Sequence, residues 1–178
     1  MKTPSMKSQA PNPLAGSRQF EMKSALGTVY LIASDRGLRG VYWKRRDLPV
    51  IEELAGKGPL LAHLRQAVTQ IGEYLEGKRR TFDLPLDFSG TPFQETVWQA
   101  LRGIPFGKTI SYKTLAAMVR NPQAVRAVGG ANGKNPLCII IPCHRVIAAD
   151  GSIGGYAGGI SIKEKLLALE RMESNPLA

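Results

Sequence analysis

The run Asn135-Pro136-Leu137-Cys138-Ile139-Ile140-Ile141-Pro142-Cys143-His144-Arg145-Val146 holds the residue types best suited to covalent chemistry. A free thiol ionises near pH ~8.5, and neighbouring cations draw that value toward neutrality. Cys143 stands between Pro142 and His144, with Arg145 next, so His144 can take its proton directly or through water. Cys138 lies inside an apolar run and reads as a small buried hydrophobe. Glu170 follows Leu166 by four residues and Leu167 by three, at the border of an apolar helical face. A carboxylate there is costly unless paired. A Cys143–His144–Glu170 relay is one reading; an ordinary solvated helix-end glutamate is the other. His63, beside a leucine stripe, reads as structural.

These groups need a frame. The chain has 178 residues, 43% of them hydrophobic, enough for one compact domain or two small ones. Two cysteines and two histidines are too few for a multi-site zinc module or a disulfide framework. No apolar run reaches the length of a membrane span, and no apolar core follows Lys2 and Lys7 as a secretory signal would require. A soluble, cytoplasmic protein is expected (nuclear in a eukaryote).

Residues 1–17 are rich in Pro, Ser and Lys and are expected to be a disordered tail; residues 174–178 read as a C-terminal tail. Residues 18–88 read as a small α+β domain. Runs 27–33 and 38–43 flank Ser34-Asp35-Arg36-Gly37 as a hairpin. Leu61, Leu64, Val68, Ile71 and Leu75 recur at helical spacing, and Gly77 ends that helix. Alternation at Phe82, Leu84, Leu86 and Phe88 predicts a strand running into a linker near Ser89-Gly90.

Residues 89–173 read as a mainly helical domain. Thr91-Pro92-Phe93-Gln94 is a capping box with Pro at the first helical position. Ile104-Pro105-Phe106-Gly107 is a turn, and Ser111 caps a second helix. Asn121-Pro122 repeats the cap-plus-Pro signature, which predicts a third helix and a helix-turn-helix. Residues 137–141 suggest a buried strand, and Ser161 with Glu164 a capping box on the last helix.

The 24 bases outnumber the 14 acids, giving +10, and anionic polymers are the natural partners of such an excess. Between Glu95 and Asp150 no carboxylate occurs, while Arg102, Lys108, Lys113, Arg120, Arg126, Lys134 and Arg145 all do. Such a strip suits phosphate tracking; a generic solvated face is the plainer alternative. On the third helix Arg126, Gly129, Gly130 and Gly133 share a face, with Val125 and Val128 turned to the core. One Arg among glycines offers little to base edges but permits close approach to a backbone, with Arg126 as a wedge. Tight packing of a Gly-rich helix on a neighbour is the competing explanation.

The motif Ile141-Pro142-Cys143-His144-Arg145-Val146, preceded by Ala131-Asn132-Gly133-Lys134-Asn135-Pro136 and followed by Gly155-Tyr156-Ala157-Gly158-Gly159, resembles the O6-alkylguanine-DNA alkyltransferase family. The similarity is close over about residues 90–171 and loose over 18–88. It implies an α+β fold with a ribonuclease H-like N-terminal domain and a helix-turn-helix domain. It implies Cys143 as irreversible alkyl acceptor, with His144 and Glu170 as its base relay. Tyr112 would turn the backbone and hydrogen-bond the base, while Arg126 fills the gap left by the flipped nucleotide. Gly129, Gly130, Ala127 and Lys134 would face DNA, with Asn135 a hinge and Val146, Tyr156, Ala157 and Lys163 around the base pocket.

The same resemblance implies double-stranded DNA bound through its minor groove without sequence preference, by a monomer, with no cofactor or metal. O6-alkylguanine, and O4-alkylthymine, would be substrates. Relatives that bind without repairing carry Trp at the cysteine position, which Cys143 excludes. The structural zinc of some members lacks its ligands, since no cysteine precedes Cys138. Ala157 stands where some members have Ser, which leaves tolerance of bulky adducts open. Two other classes stay in play: a non-catalytic DNA-binding regulator, and a thiol hydrolase that would leave the basic strip unexplained.

Overall fold

The computed structural model describes residues 14–174. β1 (Arg18–Ser24), β2 (Gly27–Ser34) and β3 (Gly37–Tyr42) form an antiparallel meander, and β4 (Val50–Ile51) adds in parallel to β1. The helix α1 (Pro59–Leu75) covers one sheet face with Leu64, Ala67, Ile71 and Tyr74, and Gly77 takes the left-handed backbone that ends it (φ 74°). Together with α1, residues Val29, Leu31, Leu38 and Val41 make the core of this half.

The second half is helical. α2 (Pro92–Arg102) begins at a complete capping box between Thr91 and Gln94. β5 (Ile110–Ser111) leads directly into α3 (Tyr112–Met118), which Ser111 caps, and pairs in parallel with β6 (Val146–Ile147). α4 (Val125–Gly133), a short 3-10 turn (Cys143–Arg145) and α5 (Ile160–Ser174) complete the order. No helix among the described residues is long and apolar enough to cross a membrane.

The two halves meet along the outer edge of β3. Leu38 donates its N–H to Pro85 and accepts from Asp87, at 2.8 and 2.9 Å. Farther along, Val41 donates to Pro136 at 2.8 Å and accepts from Cys138 at 3.1 Å. An open edge would leave those backbone groups unpaired. Here it grips both the connecting segment and the chain that carries the cysteines.

Several expectations are corrected. Residues 82–88 make one bridge, Leu38 to Leu86, rather than a full strand, because Pro85 has no N–H to extend a ladder. Asn121-Pro122 form a turn, and α4 opens three residues later after Ala124, so the helices of the helix-turn-helix are joined through residues 119–124. Val125 is exposed and only Val128 reaches the core. Residues 137–141, buried except for the half-buried Ile140, turn sharply: only Leu137 bridges, to Val41, and Ile139 lies in the left-handed region at φ 74°. Ser161 sits inside α5, whose entry turns at Gly159 (φ 91°), so it caps nothing. Of the expected N-terminal tail, residues 1–13 lie outside the described residues. Residues 14–17 instead form a turn held by Arg39, with Ser17 buried. The expected tail at 174–178 lies outside the described residues except Ser174, the last residue of α5.

The α2 capping box satisfies two backbone donors at the head of the helix that carries Trp98 into the core. Thr91→Ala is expected to cost about 1 kcal/mol, read as a lower urea midpoint at unchanged m-value.

Candidate active site

A cavity of about 350 Å³ opens between α3, α4 and the glycine loop that precedes α5. Tyr112 comes from α3; Gly129, Asn132 and Gly133 come from α4. Asn135, Cys138 and Cys143 come from the segment that follows, and Gly155, Tyr156 and Ala157 from the loop. Cys143 is 3% exposed and opens the 3-10 turn.

Asn135 sets that turn. Its side-chain amide donates to the Ile141 carbonyl at 2.7 Å and its oxygen accepts from the Leu137 N–H at 3.0 Å. Ile140 and Ile141 donate back to Cys138 and Leu137, which closes the loop tightly. Both cysteines therefore face one cavity. Cys138 was expected to be packing alone; it lines the wall beside Cys143.

The Cys143 thiol is held below its ordinary value, chiefly by the Cys138 side chain that shares its cavity wall. Burial opposes this, while Asn135 and the nearby Lys163 ammonium assist. Arg145, expected to supply the charge, points elsewhere. Lys163 is fully buried; its Nζ donates to the Val146 carbonyl at 2.6 Å and the Gly155 carbonyl at 3.4 Å. Val146 and Lys163 thus stand behind the cavity wall rather than forming it.

On the far side of Cys143 lies a buried polar cluster. His144 is 0% exposed and its Nε2 lies 2.8 Å from Glu170 Oε1. Glu170, 1% exposed, also accepts from Arg145 Nη2 at 2.8 Å and Nε at 2.9 Å, and from the Gly107 N–H at 3.0 Å. The solvated-glutamate reading is excluded by this burial. Sequence reasoning missed a further donor: Tyr74 of α1 gives its hydroxyl to Glu170 Oε1 at 2.6 Å, 3.3 Å from His144 Nε2. The available signal was a phenol on a buried stripe, which has to find a partner.

Burial alone pushes the Glu170 carboxyl up, but the bonds from His144 and Arg145 outweigh it and hold the group well below the usual carboxylate range. Burial pushes the His144 imidazole down, against the pull of Glu170. The ring is therefore neutral at pH 7, with its proton on Nε2 facing the carboxylate and the Nδ1 lone pair free to act as a base. Nδ1 is buried with no protein partner among the described residues.

The outer surface matches the charge pattern in part. Arg102, Lys108, Lys113, Arg120, Arg126 and Lys134 are exposed, whereas Arg145 is withdrawn onto Glu170 and leaves the strip. On α4 a methyl group added at Gly130 or Gly133 would meet nothing within 4 Å, so this face is open rather than packed on a neighbour. Gly129 lies against Tyr112, whose phenol is pushed up by burial and by charge on Cys143. Arg126 and Ala127 are exposed on the same helix, and Lys134 lies at its end beside Arg39 and Arg46. The glycine loop is clamped from the first half of the chain. Trp43 Nε1 donates to the Tyr156 hydroxyl at 3.2 Å, and a Cβ at Gly158 would come within 2.7 Å of the Trp43 ring.

Because the folded value of Glu170 is depressed, its ionised form stabilises the fold fully above the unfolded carboxyl value of about 4.3, and this contribution fades as pH falls. Glu170→Gln leaves Arg145 buried without its counter-charge and is expected to cost about 3–5 kcal/mol at neutral pH. The difference should shrink on acidification, measured as urea unfolding of both proteins between about pH 7 and pH 3.

Comparison with known proteins agrees with this architecture. Residues 92–172 match the model of the 6-O-methylguanine DNA methyltransferase DNA binding domain, and residues 21–88 that of its ribonuclease-like domain. The methylated-DNA--protein-cysteine methyltransferase of Methanosarcina barkeri is 43% identical over 84% of this chain and 94% of its own. The inducible one of Bacillus subtilis is 40% identical over 89% and 87%. The crystal structure of Mycobacterium tuberculosis OGT in complex with DNA superposes with a TM-score of 0.77 and 38% identity, over 88% of this chain and 94% of that one. Two matched domains in the same order, spanning most of the chain, place the protein in the 6-O-methylguanine DNA methyltransferase family.

Proposed function

We propose that the protein repairs O6-alkylguanine in duplex DNA by moving the alkyl group onto Cys143, each molecule acting once. The carrying observation is a lowered thiol at the wall of a base-sized cavity, with a neutral imidazole and buried carboxylate behind it and an open glycine face beside it. A base inside a duplex is out of reach, so the nucleotide rotates out and its place in the stack is filled. Arg126 is the plug, and the glycine face of α4 lets the backbone approach through the minor groove. Tyr112, on the cavity wall, turns the flipped base inward.

His144 Nδ1 takes the Cys143 proton, through a water molecule, while Glu170 steadies the ring as it becomes cationic. The thiolate gives its electron pair to the alkyl carbon, the carbon–O6 bond breaks, and O6 receives the pair. Tyr112, kept protonated by its raised value, hydrogen-bonds the base as this charge develops. A thioether is a poor substrate for displacement, so Cys143 stays alkylated. O4-alkylthymine presents the same alkyl–oxygen bond and fits the same chemistry. Six exposed bases with no interspersed acid make binding depend on phosphates, independent of sequence.

DNA carrying labelled O6-methylguanine tests this reading. About one label per chain should end on Cys143, and Cys143→Ala should abolish transfer while DNA binding survives. Repeated turnover would indicate a hydrolase; tight binding with no transfer would indicate a regulator. Arg126→Ala should slow transfer at least about tenfold, the scale set by a flipping cost of a few kcal/mol. Unchanged affinity and rate in that variant would sink the plug assignment.

A further inference from the structure

The His144 ring is gripped from one side. Among the described residues its Nδ1 has no hydrogen-bond partner, so hydrogen bonds orient the ring through Nε2. A planar ring held at one point can swivel about that contact, whereas two oxygens in different directions fix its plane. Glu170 Oε1 is the first, at 2.8 Å, and the Tyr74 hydroxyl is the second, at 3.3 Å. A phenol has one proton to give. Tyr74 gives it to Glu170 Oε1 at 2.6 Å, so its oxygen meets Nε2 as an acceptor. Both oxygens favour a proton on Nε2, which leaves the lone pair on Nδ1. The aromatic ring of Tyr74 is seated independently of these bonds, its centroid 5.4 Å from that of Phe82 and 6.1 Å from that of Phe106.

We propose that Tyr74 is a positioning residue for alkyl transfer, its hydroxyl closing with Glu170 on His144 Nε2 so that Nδ1 is aimed at the Cys143 thiol. The inference rests on Cys143 being the alkyl acceptor and His144 its base. The charged and titratable groups around His144 are Glu170 and Lys163 of α5, Tyr74 of α1, and Cys143 and Arg145 on either side of it in the chain. Lys163 donates to two carbonyls, and Arg145 to Glu170 and the Ile104 carbonyl. Both carry donors only, so neither can accept the Nε2 proton. Burial and the neighbouring carboxylate push the Tyr74 phenol well up, so it keeps its own proton throughout. The Cys143 proton passes to Nδ1 through water, the sulfur gives its pair to the alkyl carbon, and O6 leaves with the carbon–oxygen pair. Tyr74 exchanges nothing. Through this hydroxyl the sheet half takes part in orienting the base.

Transfer from O6-methylguanine DNA to the full chain is timed at saturating DNA across a pH series, for the wild type and for Tyr74→Phe. The variant keeps the packed ring and loses only the hydroxyl. It should be about tenfold slower at pH 7 with unchanged DNA affinity, within the scale set by a small misplacement of a reacting group. The deficit should close at about one unit above the ordinary thiol value of ~8.5, where Cys143 ionises without a base. A wild-type rate in the variant would overturn the proposal, as would a deficit equal at every pH, which marks a general loss of structure. A second measurement does not depend on the variant folding. The chain has two histidines, so nitrogen NMR of labelled imidazoles in the wild type separates His144 from His63. His144 should carry its proton on Nε2, in through-space contact with the Tyr74 ring; a proton on Nδ1 would overturn the proposal. Label transfer to wild-type Cys143 is scored separately. Its failure would remove the acceptor assignment, whereas normal transfer with an unaffected Phe variant would remove only the role of Tyr74.

Discussion

A carboxylate withdrawn from water needs several donors before its burial is tolerable. Among the described residues Glu170 collects them from the Tyr74 hydroxyl, the Gly107 backbone, His144 and Arg145. Satisfying that one group fixes much else. It brings α1 of the sheet half against α5, draws Arg145 inward from the basic surface, and leaves the His144 ring with a single orientation. Arg145 completes the arrangement by donating to the Ile104 carbonyl at 2.6 Å, which ties down the turn after α2. The cluster belongs to neither half alone.

The sheet half contributes more than a wall. The edge of β3 holds the turn that carries Cys138, and Trp43, one residue past β3, holds the glycine loop through Tyr156. The cavity is thus braced on two sides by one strand and its continuation. On the proposed reading, the helical half supplies the groups that meet DNA, and the sheet half braces the Cys143 sulfur relative to them. Phosphate binding needs a tolerant surface, whereas displacement at carbon needs a fixed line of approach. These demands are met by different parts of the chain.

Local signals were readable wherever the physics is local. The hairpin, the Thr91 capping box and the Ser111 cap all depend on neighbours within four residues, and all stand in the structure. The pairing of His144 with Glu170 was legible because a carboxylate at an apolar border must find a partner, and the chain has only two histidines. Where distant contacts decide, the pattern misled. Residues 137–141 have the composition of a strand, but Asn135 and the β3 edge bend them into a turn. Asn121-Pro122 carry a helix-start signature, but Arg120 in a left-handed conformation leads into a turn there instead (φ 57°). Tyr74 carried no signal of its partner, because a phenol on a helical stripe does not say which of many buried groups it will meet.

The position of Glu170 along the chain has a consequence for synthesis. Every residue that lines the cavity lies at or before Ala157, and Tyr74, Gly107, His144 and Arg145 all precede it too. A chain that lacks α5 would keep Cys143 and the cavity-lining residues, but it would lose the carboxylate that His144 and Arg145 share. On the proposed reading, the Cys143 thiol lacks an oriented base until α5 has docked. On that reading, the docking of α5 is the arming step.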